Sequence, residues 1–238
     1  MLKFIGSGSA FNTKLGNNSA YYKEGNQMLL IDCGSNIFQR IKENNLLEGI
    51  EHIHVAITHT HADHVGSLAD LILYTYYSHG AFAKSKVTVY ASDDVEIEEL
   101  IRINGCILNE HYKYEHVREG MMHSLFEGYI SFNLTSHVDE FKTYGMEIEI
   151  NNTKIHYSSD SNELDVVVLE LMDQDVIDMA YIDTCKADYE GNVHLSLRKL
   201  TELVPEGLRY KVWCMHLDEG FDRKEAEALG FNVVVNEF

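Results

Sequence analysis

Several kinds of segment are missing from this chain of 238 residues. It contains one proline, and no stretch rich in proline, glycine or serine divides it, so we expect a single domain over residues 1–238. Its apolar runs have the length of strands and are interrupted by charge, which argues against a segment that spans a membrane. Residues 1–5 are a short, mainly apolar strand candidate, and no basic region leads into a long hydrophobic stretch there, so we expect no secretory leader.

Cysteine is also scarce, and its spacing excludes the common paired motifs. Cys33, Cys106, Cys185 and Cys214 are scattered along the chain without a Cys-x-x-Cys pair. In a chain of this size such a pattern is typical of free thiols in a reducing compartment. We therefore expect a cytoplasmic protein.

Positive charge is the third scarcity. Nineteen Lys and Arg residues face 38 Asp and Glu residues, which gives a formal net charge of -19 at pH 7. Non-specific affinity for nucleic acid comes mainly from Lys and Arg that neutralise phosphates, so we expect no stable binding of RNA or DNA. Divalent ions held in a cleft would still attract a small anion.

The chain does contain a dense group of metal-binding side chains. Residues 58–66 read Thr-His-Thr-His-Ala-Asp-His-Val-Gly and follow an apolar run that predicts a buried strand. His59 and His61 point the same way on an extended segment and can bind one cation, such as zinc. Asp63 and His64 follow where helical spacing begins, so they face a neighbouring position where a second ion can bind. This donor set suits zinc, manganese or iron.

Three further candidates follow predicted strands by a few residues. His137 would complete three imidazoles around the first ion, and His216 would join Asp63 and His64 at the second. Asp160 offers two carboxylate oxygens and could bridge both ions. Each of the three, taken alone, also fits a helix cap or a polar surface residue.

The order of predicted elements indicates the fold class. Strand-like runs come in two series, and each series is closed by helical patterns. An α/β fold with two sheets packed face to face and helices outside, a four-layered αββα sandwich, satisfies this order. Residues 104–126 have no clear assignment. They could form a helix that faces a partner, or a lid over the cleft.

These motifs together resemble the metallo-beta-lactamase superfamily, and within it the branch of enzymes that process transfer-RNA 3′ ends and related small phosphodiesterases. The resemblance covers nearly the whole chain. It rests on Gly6-Ser7-Gly8-Ser9-Ala10, Asp32-Cys33-Gly34, the motif from His59 to His64, His137, Ser159-Asp160-Ser161 and His216.

The resemblance implies a metallo-beta-lactamase fold and two Zn²⁺ per subunit, with Mn²⁺ or Fe²⁺ as alternatives. His59, His61 and His137 would hold one ion and Asp63, His64 and His216 the other, with Asp160 as the bridge. Water activated by the ions would attack phosphorus, and Asp63 would accept or orient its proton. The segment Gly191-Asn192-Val193-His194-Leu195-Ser196 is similar to a Gly-His-Ser/Thr element of this branch, which implies that His194 protonates the leaving group. Asn192 and Val193 interrupt the element, so a solvent-facing His194 stays possible.

One difference from the transfer-RNA enzymes narrows the range of expected substrates. Their RNA-grasping arm lies between the third metal histidine and the bridging aspartate, where a predicted hairpin already fills the interval between His137 and Asp160. The chain without this arm is similar to compact cyclic-nucleotide phosphodiesterases, including phage anti-Pycsar proteins that degrade pyrimidine cyclic mononucleotides. That likeness implies a small phosphodiester substrate, a homodimer, and the host cytoplasm if a phage encodes the chain. A transfer-RNA 3′-end-type endoribonuclease, a thioester or lactone hydrolase, and a binding protein that has lost catalysis are the alternatives.

Overall fold

The strands form two sheets in which neighbours in sequence are also neighbours in space. The computed structural model of the protein describes residues 1–79, 85–126 and 128–238. The first sheet contains, in order, β1 (Lys3–Gly6), β2 (Ser19–Glu24), β3 (Gln27–Ile31), β4 (His52–Ala56), β5 (Val87–Ser92) and β6 (Tyr112–Val117). The second contains β7 (His123–Leu125), β8 (Gly128–Thr135), β9 (Thr143–Ile150), β10 (Thr153–Tyr157), β11 (Met179–Asp183), β12 (Val212–Met215) and β13 (Asn232–Val233).

Each sheet changes from antiparallel to parallel pairing along its width. Strands β1 to β3 pair antiparallel and β3 to β6 parallel, while β7 to β10 pair antiparallel and β10 to β13 parallel. Parallel neighbours need long crossover connections, and helices supply most of them. These helices are α1 (Ile37–Glu43), α2 (Ala62–Val65), α3 (Leu68–Tyr77), α4 (Ile97–Ile103), α5 (Val166–Asp173), α6 (Leu197–Leu203) and α7 (Arg223–Ala228). The carboxyl ends of the parallel strands consequently lie along one edge of each sheet.

Two apolar cores hold four layers together. The larger core contains side chains of both sheets and of α1, α3 and α4, and the rings of Phe4 on β1 and Tyr181 on β11 meet across it at 5.4 Å. The smaller core joins strands β11 to β13 to helices α5, α6 and α7. Helices therefore cover the outer faces of two sheets packed against each other. The predicted four-layered αββα sandwich is confirmed.

Two local predictions differ from the structure. The helical spacing that begins near Asp63 gives two helices, α2 and α3, because the backbone of Ser67 (φ −119°, ψ 16°) leaves the helical conformation between them. Residues 104–126 do not form a helix, and instead contain the edge strands β6 and β7. Among residues 1–79, 85–126 and 128–238, no helix combines the length and apolar character needed to cross a bilayer.

Candidate metal centre

The seven predicted metal-binding side chains meet where strands of both sheets end. His59 and His61 lie on the segment between β4 and α2, and α2 itself carries Asp63 and His64. The other three follow strands of the second sheet: His137 after β8, Asp160 after β10 and His216 after β12. The structure thus brings together residues that lie far apart in sequence, and all seven predicted donors are among them.

One cluster contains three imidazoles and a carboxylate. His59 Nε2 lies 3.0 Å from His61 Nδ1, which in turn lies 3.4 Å from His137 Nε2. Asp160 Oδ2 is 3.9 Å from the His59 nitrogen and 3.7 Å from the His137 nitrogen. Nitrogen lone pairs this close repel one another unless a proton or a cation lies among them. The cluster therefore has the donors and the convergence of a tetrahedral metal site.

A second cluster shares Asp160 with the first. His64 Nε2 lies 3.3 Å from both Asp63 Oδ2 and Asp160 Oδ1, and His216 Nε2 lies 3.3 Å from Asp63 Oδ2 and 3.5 Å from Asp160 Oδ2. His64 Nε2 and Asp160 Oδ1 are buried and have no hydrogen-bond partner among the described residues. Buried polar atoms normally have partners, so these two atoms fit a bound cation.

Hydrogen bonds behind the clusters set the imidazole tautomers. His64 Nδ1 donates to Asp32 Oδ2 at 2.7 Å, and His137 Nδ1 donates to the Val193 carbonyl at 3.0 Å. The Thr58 hydroxyl donates to Asp32 and accepts from His59 Nδ1 at 2.9 Å. Each bond occupies Nδ1 and leaves the lone pair of Nε2 free to bind a metal.

The pKa of a histidine in the first cluster shifts downward, whereas the pKa values of the histidines in the second cluster shift upward. Burial, together with nearby His64, holds the pKa of His59 well below its usual value, which favours the neutral form that binds metal. Burial also lowers the pKa of His64, but Asp160 and Asp32 raise it more, so that it lies well above the usual value. The same opposition, with Asp160 as the chief neighbour, raises the pKa of His216 to about 10. Protons thus occupy the second cluster when no cation does, and a metal ion would displace them.

His194 lies beside both clusters rather than within either. Its ring centroid is 5.0 Å from those of His137 and His216, and its Nδ1 lies 2.6 Å from Asp183 Oδ2. Burial lowers the pKa of His194, but Asp183 raises it more, so the net shift is upward. The alternative of a solvent-facing residue at a helix start does not hold, since His194 precedes the helix and is paired with a buried carboxylate.

Two carboxylates of the centre had no predicted role. Asp32 follows β3 and accepts from His64, while Asp183 ends β11 and lies 3.3 Å from His216 Nδ1 as well as bonding to His194. Both are fully buried. The signal that could have found them is the one used for Asp160, an acidic residue at the end of an apolar strand.

A cleft of about 530 Å³ opens onto the two clusters. It is lined by the ligands His61, Asp63, His137, Asp160 and His216, by His194, and by Ala10, Phe11, Thr13, Asn17, Ser35, Asn36, Ala62 and Val193. This volume lies in the range of sites for small ligands. The two clusters therefore form a divalent-metal site that a small ligand can reach through the cleft.

Solved structures with the same architecture define the class of fold. The metallo-beta-lactamase fold protein YhfI from Bacillus subtilis superposes with a TM-score of 0.73 over 98% of this chain and 95% of its own, at 18% identity. A diphosphatase from the PhnP family superposes with a TM-score of 0.75 over 100% of this chain and 95% of its own, also at 18% identity. The chain therefore has the metallo-beta-lactamase fold, and its two clusters of His and Asp side chains lie within that fold.

Sequence comparison gives the family within that class. The family profile described as anti-Pycsar protein Apyc1 matches residues 1–237, and the chain belongs to this family. An anti-Pycsar protein Apyc1 of Bacillus phage vB_BveM-Goe7 is 29% identical over 252 residues, covering 93% of this chain and 90% of its own. Another from Paenibacillus harenae is 28% identical over 242 residues, covering 98% and 96%.

Proposed function

We propose that the chain is a binuclear-metal phosphodiesterase that hydrolyses 3′,5′-cyclic mononucleotides. The observation that carries this proposal is the pair of donor clusters that share Asp160 and open, beside His194, into a cleft of about 530 Å³. Membership of the anti-Pycsar family supports a cyclic nucleotide as substrate. The family likeness implies that its base is a pyrimidine.

The buried charge supports two divalent ions at the seven donors. The carboxylates of Asp32, Asp63, Asp160 and Asp183 are all buried, and none is paired with a Lys or Arg in the part of the chain that the structure describes. Buried charges need compensation. With the imidazoles neutral, two divalent ions would balance the four negative charges. We assign Zn²⁺ to both positions, with Mn²⁺ or Fe²⁺ as alternatives that suit the same donors.

The ions and the residues around them would have different roles in an in-line displacement at phosphorus. Bound ions would lower the pKa of a water and neutralise charge on the phosphoryl oxygens. Asp63, next to His64 and His216 and lining the cleft, is placed to accept or orient the proton of the attacking water.

His194 is placed to protonate the departing alkoxide. Its Nδ1 is occupied by Asp183, so Nε2 is the ring nitrogen available to a substrate in the cleft. The upward shift of its pKa, which Asp183 causes against burial, increases the protonated fraction at neutral pH. A buried carboxylate and a cleft-lining histidine thus form a proton-donating pair.

The surface next to the metal cleft favours a small substrate over RNA. A groove of about 1430 Å³ shares His137 and Val193 with the cleft. Six carboxylates line it: Asp93, Asp94, Glu96, Glu99, Asp139 and Glu140. Among the described residues that line the groove, the one Lys or Arg is Lys142, which is paired with Asp94 at 2.6 Å. A polyanion would be repelled along this groove, whereas a cyclic mononucleotide carries a single phosphodiester charge.

The hairpin predicted between His137 and Asp160 is present as β9 and β10, which occupy the interval that would hold an RNA-grasping arm.

We propose further that residues 1–238 act as one domain, that two copies form a homodimer, and that the enzyme works in the cytoplasm, of the host if a phage encodes it.

A substrate panel tests the reaction. Metal-reconstituted protein is incubated with 3′,5′-cyclic mononucleotides of all common bases, cyclic dinucleotides, a transfer-RNA precursor, a lactone and a thioester, and the products are separated. We expect linear mononucleotides from the cyclic ones, with the activity abolished by Asp160→Ala and retained by His156→Ala. The latter histidine lies on β10 and pairs with Glu147, away from the centre. Survival of every cyclic nucleotide while the RNA is trimmed, or while a carbonyl ester is cleaved, would refute the proposal.

A further inference from the structure

One aromatic ring at the mouth of the metal cleft is almost wholly exposed. The side chain of Phe11 is 87% exposed, the largest value among the big apolar residues that the structure describes. It lines the same cleft as His61, His194 and His216. Within the described part of the chain, it is also the one Phe, Tyr or Trp among the residues that line this cleft. A single exposed apolar side chain is ordinary elsewhere on a surface, so its position is what requires a reason.

The loop that carries Phe11 is fixed to a metal-binding segment. The buried Asn12 donates from Nδ2 to the carbonyls of Leu217 at 2.9 Å and Asp218 at 3.3 Å, and the Ser9 amide donates to the Leu217 carbonyl at 3.0 Å. Leu217 directly follows His216. The position of the phenyl ring is therefore tied to the position of the second cluster.

The loop is also closed on itself. The Gly8 amide donates to the Gly16 carbonyl at 2.8 Å, and the Gly16 amide donates to the Asn12 carbonyl at 3.1 Å. A Cβ at Gly8 would lie 2.8 Å from the Asn12 carbonyl oxygen, so the two chain segments touch at this point. A well-anchored loop that holds a bare aromatic ring in water differs from a mobile tip, where exposure carries no information.

We propose that Phe11 is the stacking platform for the base of the substrate. This inference rests on the proposed function, because it assumes that a phosphodiester occupies the metal centre and that its base extends to the mouth of the cleft. A phenyl ring has no hydrogen-bonding group for the polar edge of a base, so the contact that Phe11 offers is ring-to-ring packing, for which an offset-stacked arrangement is favourable. Because the backbone that carries the ring is anchored before the substrate arrives, binding does not have to order the loop.

Kinetics on two matched substrates test the platform. One is a 3′,5′-cyclic mononucleotide, and the other is the cyclic phosphate of the same sugar without a base. Stacking of a base on an aromatic side chain corresponds to roughly a 5- to 140-fold change in affinity on alanine substitution. We expect Phe11→Ala to raise KM for the nucleotide within this range, with kcat changed by less than about twofold, because the contact is the same in ground and transition states. Phe11→Tyr should resemble the wild type, and Phe11→Leu should fall between.

Three controls make the outcome decisive. The base-free substrate should show the same KM with Phe11→Ala as with wild type, metal content should not change, and Tyr189→Ala should behave as wild type. Tyr189 is 60% exposed but does not line the cleft. An equal loss on both substrates would mean that Phe11 supports the loop, and would overturn the proposal. Sedimentation that shows Phe11→Ala dissociating a wild-type oligomer would assign the ring to a subunit interface, with the same consequence.

The two proposals fail in different ways. If wild-type protein turns over no cyclic nucleotide, the proposed function is wrong. If wild-type protein is active and Phe11→Ala has the same KM on the nucleotide, the platform alone is wrong.

Discussion

Replacement of His194 by alanine separates proton donation from metal binding. His194 lies outside both four-donor clusters, and its own partner Asp183 keeps a second bond, because the Ser161 amide donates to the same oxygen at 3.0 Å. The variant should therefore fold and bind the normal amount of metal while losing the group that protonates the leaving oxygen.

The size of the loss depends on the leaving group. General acid catalysis contributes roughly a hundredfold to ten-thousandfold in rate, and a sugar alkoxide needs the whole contribution because it is a poor leaving group. We expect kcat on a 3′,5′-cyclic mononucleotide to fall by about this factor in His194→Ala. A p-nitrophenolate leaves without a proton, so kcat on a p-nitrophenyl phosphodiester should fall by less than about tenfold.

The pH profile provides an independent sign. Since Asp183 raises the pKa of His194 against the effect of burial, the acid form persists to higher pH than in a free histidine, and kcat should decline as pH rises through that shifted value. This alkaline limb should be absent in His194→Ala. The matched control is His156→Ala, which removes an imidazole with the same 2.6 Å bond to a carboxylate, and its profile should equal that of the wild type.

Equal losses on the two leaving groups would refute the role of His194 as a proton donor. Loss of metal from the variant, measured by elemental analysis, would instead make it part of the metal-binding set, where it belongs to a third group of donors with Asp183 and His216.

Three other substitutions, the last with a matched control, test the centre and the fold beneath it. Asp160→Ala should reduce the content of both metals, because its carboxylate belongs to both clusters, and elemental analysis after reconstitution checks this. Asp183→Asn should weaken metal affinity by about 10- to 100-fold, as expected for a residue that orients a ligand, and competition with a chelator measures it. Gly34→Ala should lower the free energy of unfolding by about 1–3 kcal/mol, since a Cβ would lie 1.9 Å from the Asp63 carbonyl oxygen. Gly207→Ala, with open space around its Cβ position, should change it by less than about 0.5 kcal/mol in the same denaturant titration.

The seven donors could be predicted because their signals are local. The alternation of an extended segment places His59 and His61 together, and strand ends followed by His or Asp gave the distant members. Both signals need only a few residues of context. The four-layered order of elements followed in the same way from two series of strands with helices after them.

The remaining features depend on contacts between distant segments. Their positions at strand ends could have marked Asp32 and Asp183 as candidates. Their roles could not be predicted, because each acts by accepting a hydrogen bond from a histidine that lies elsewhere in the sequence, His64 for Asp32 and His194 for Asp183. Likewise, β6 forms by parallel pairing with residues Val87 to Ser92 of β5. Its own sequence has a partly polar pattern and does not predict this pairing.

The backbone at the centre indicates why metal binding and folding should be coupled. Asp32, Ser159 and His216 follow strands β3, β10 and β12 and have φ values of 60°, 56° and 56°, in the left-handed region that favours glycine. Each such residue costs about 1–3 kcal/mol. Glycine would remove the strain but also the side chains of Asp32 and His216, which the centre uses. Asn18 helps to hold the last turn, since its Oδ1 accepts from the His216 amide and its Nδ2 donates to the Tyr157 hydroxyl. Strained strand ends that carry buried carboxylates are unfavourable alone, so a cation that binds there supplies free energy to the folded state itself.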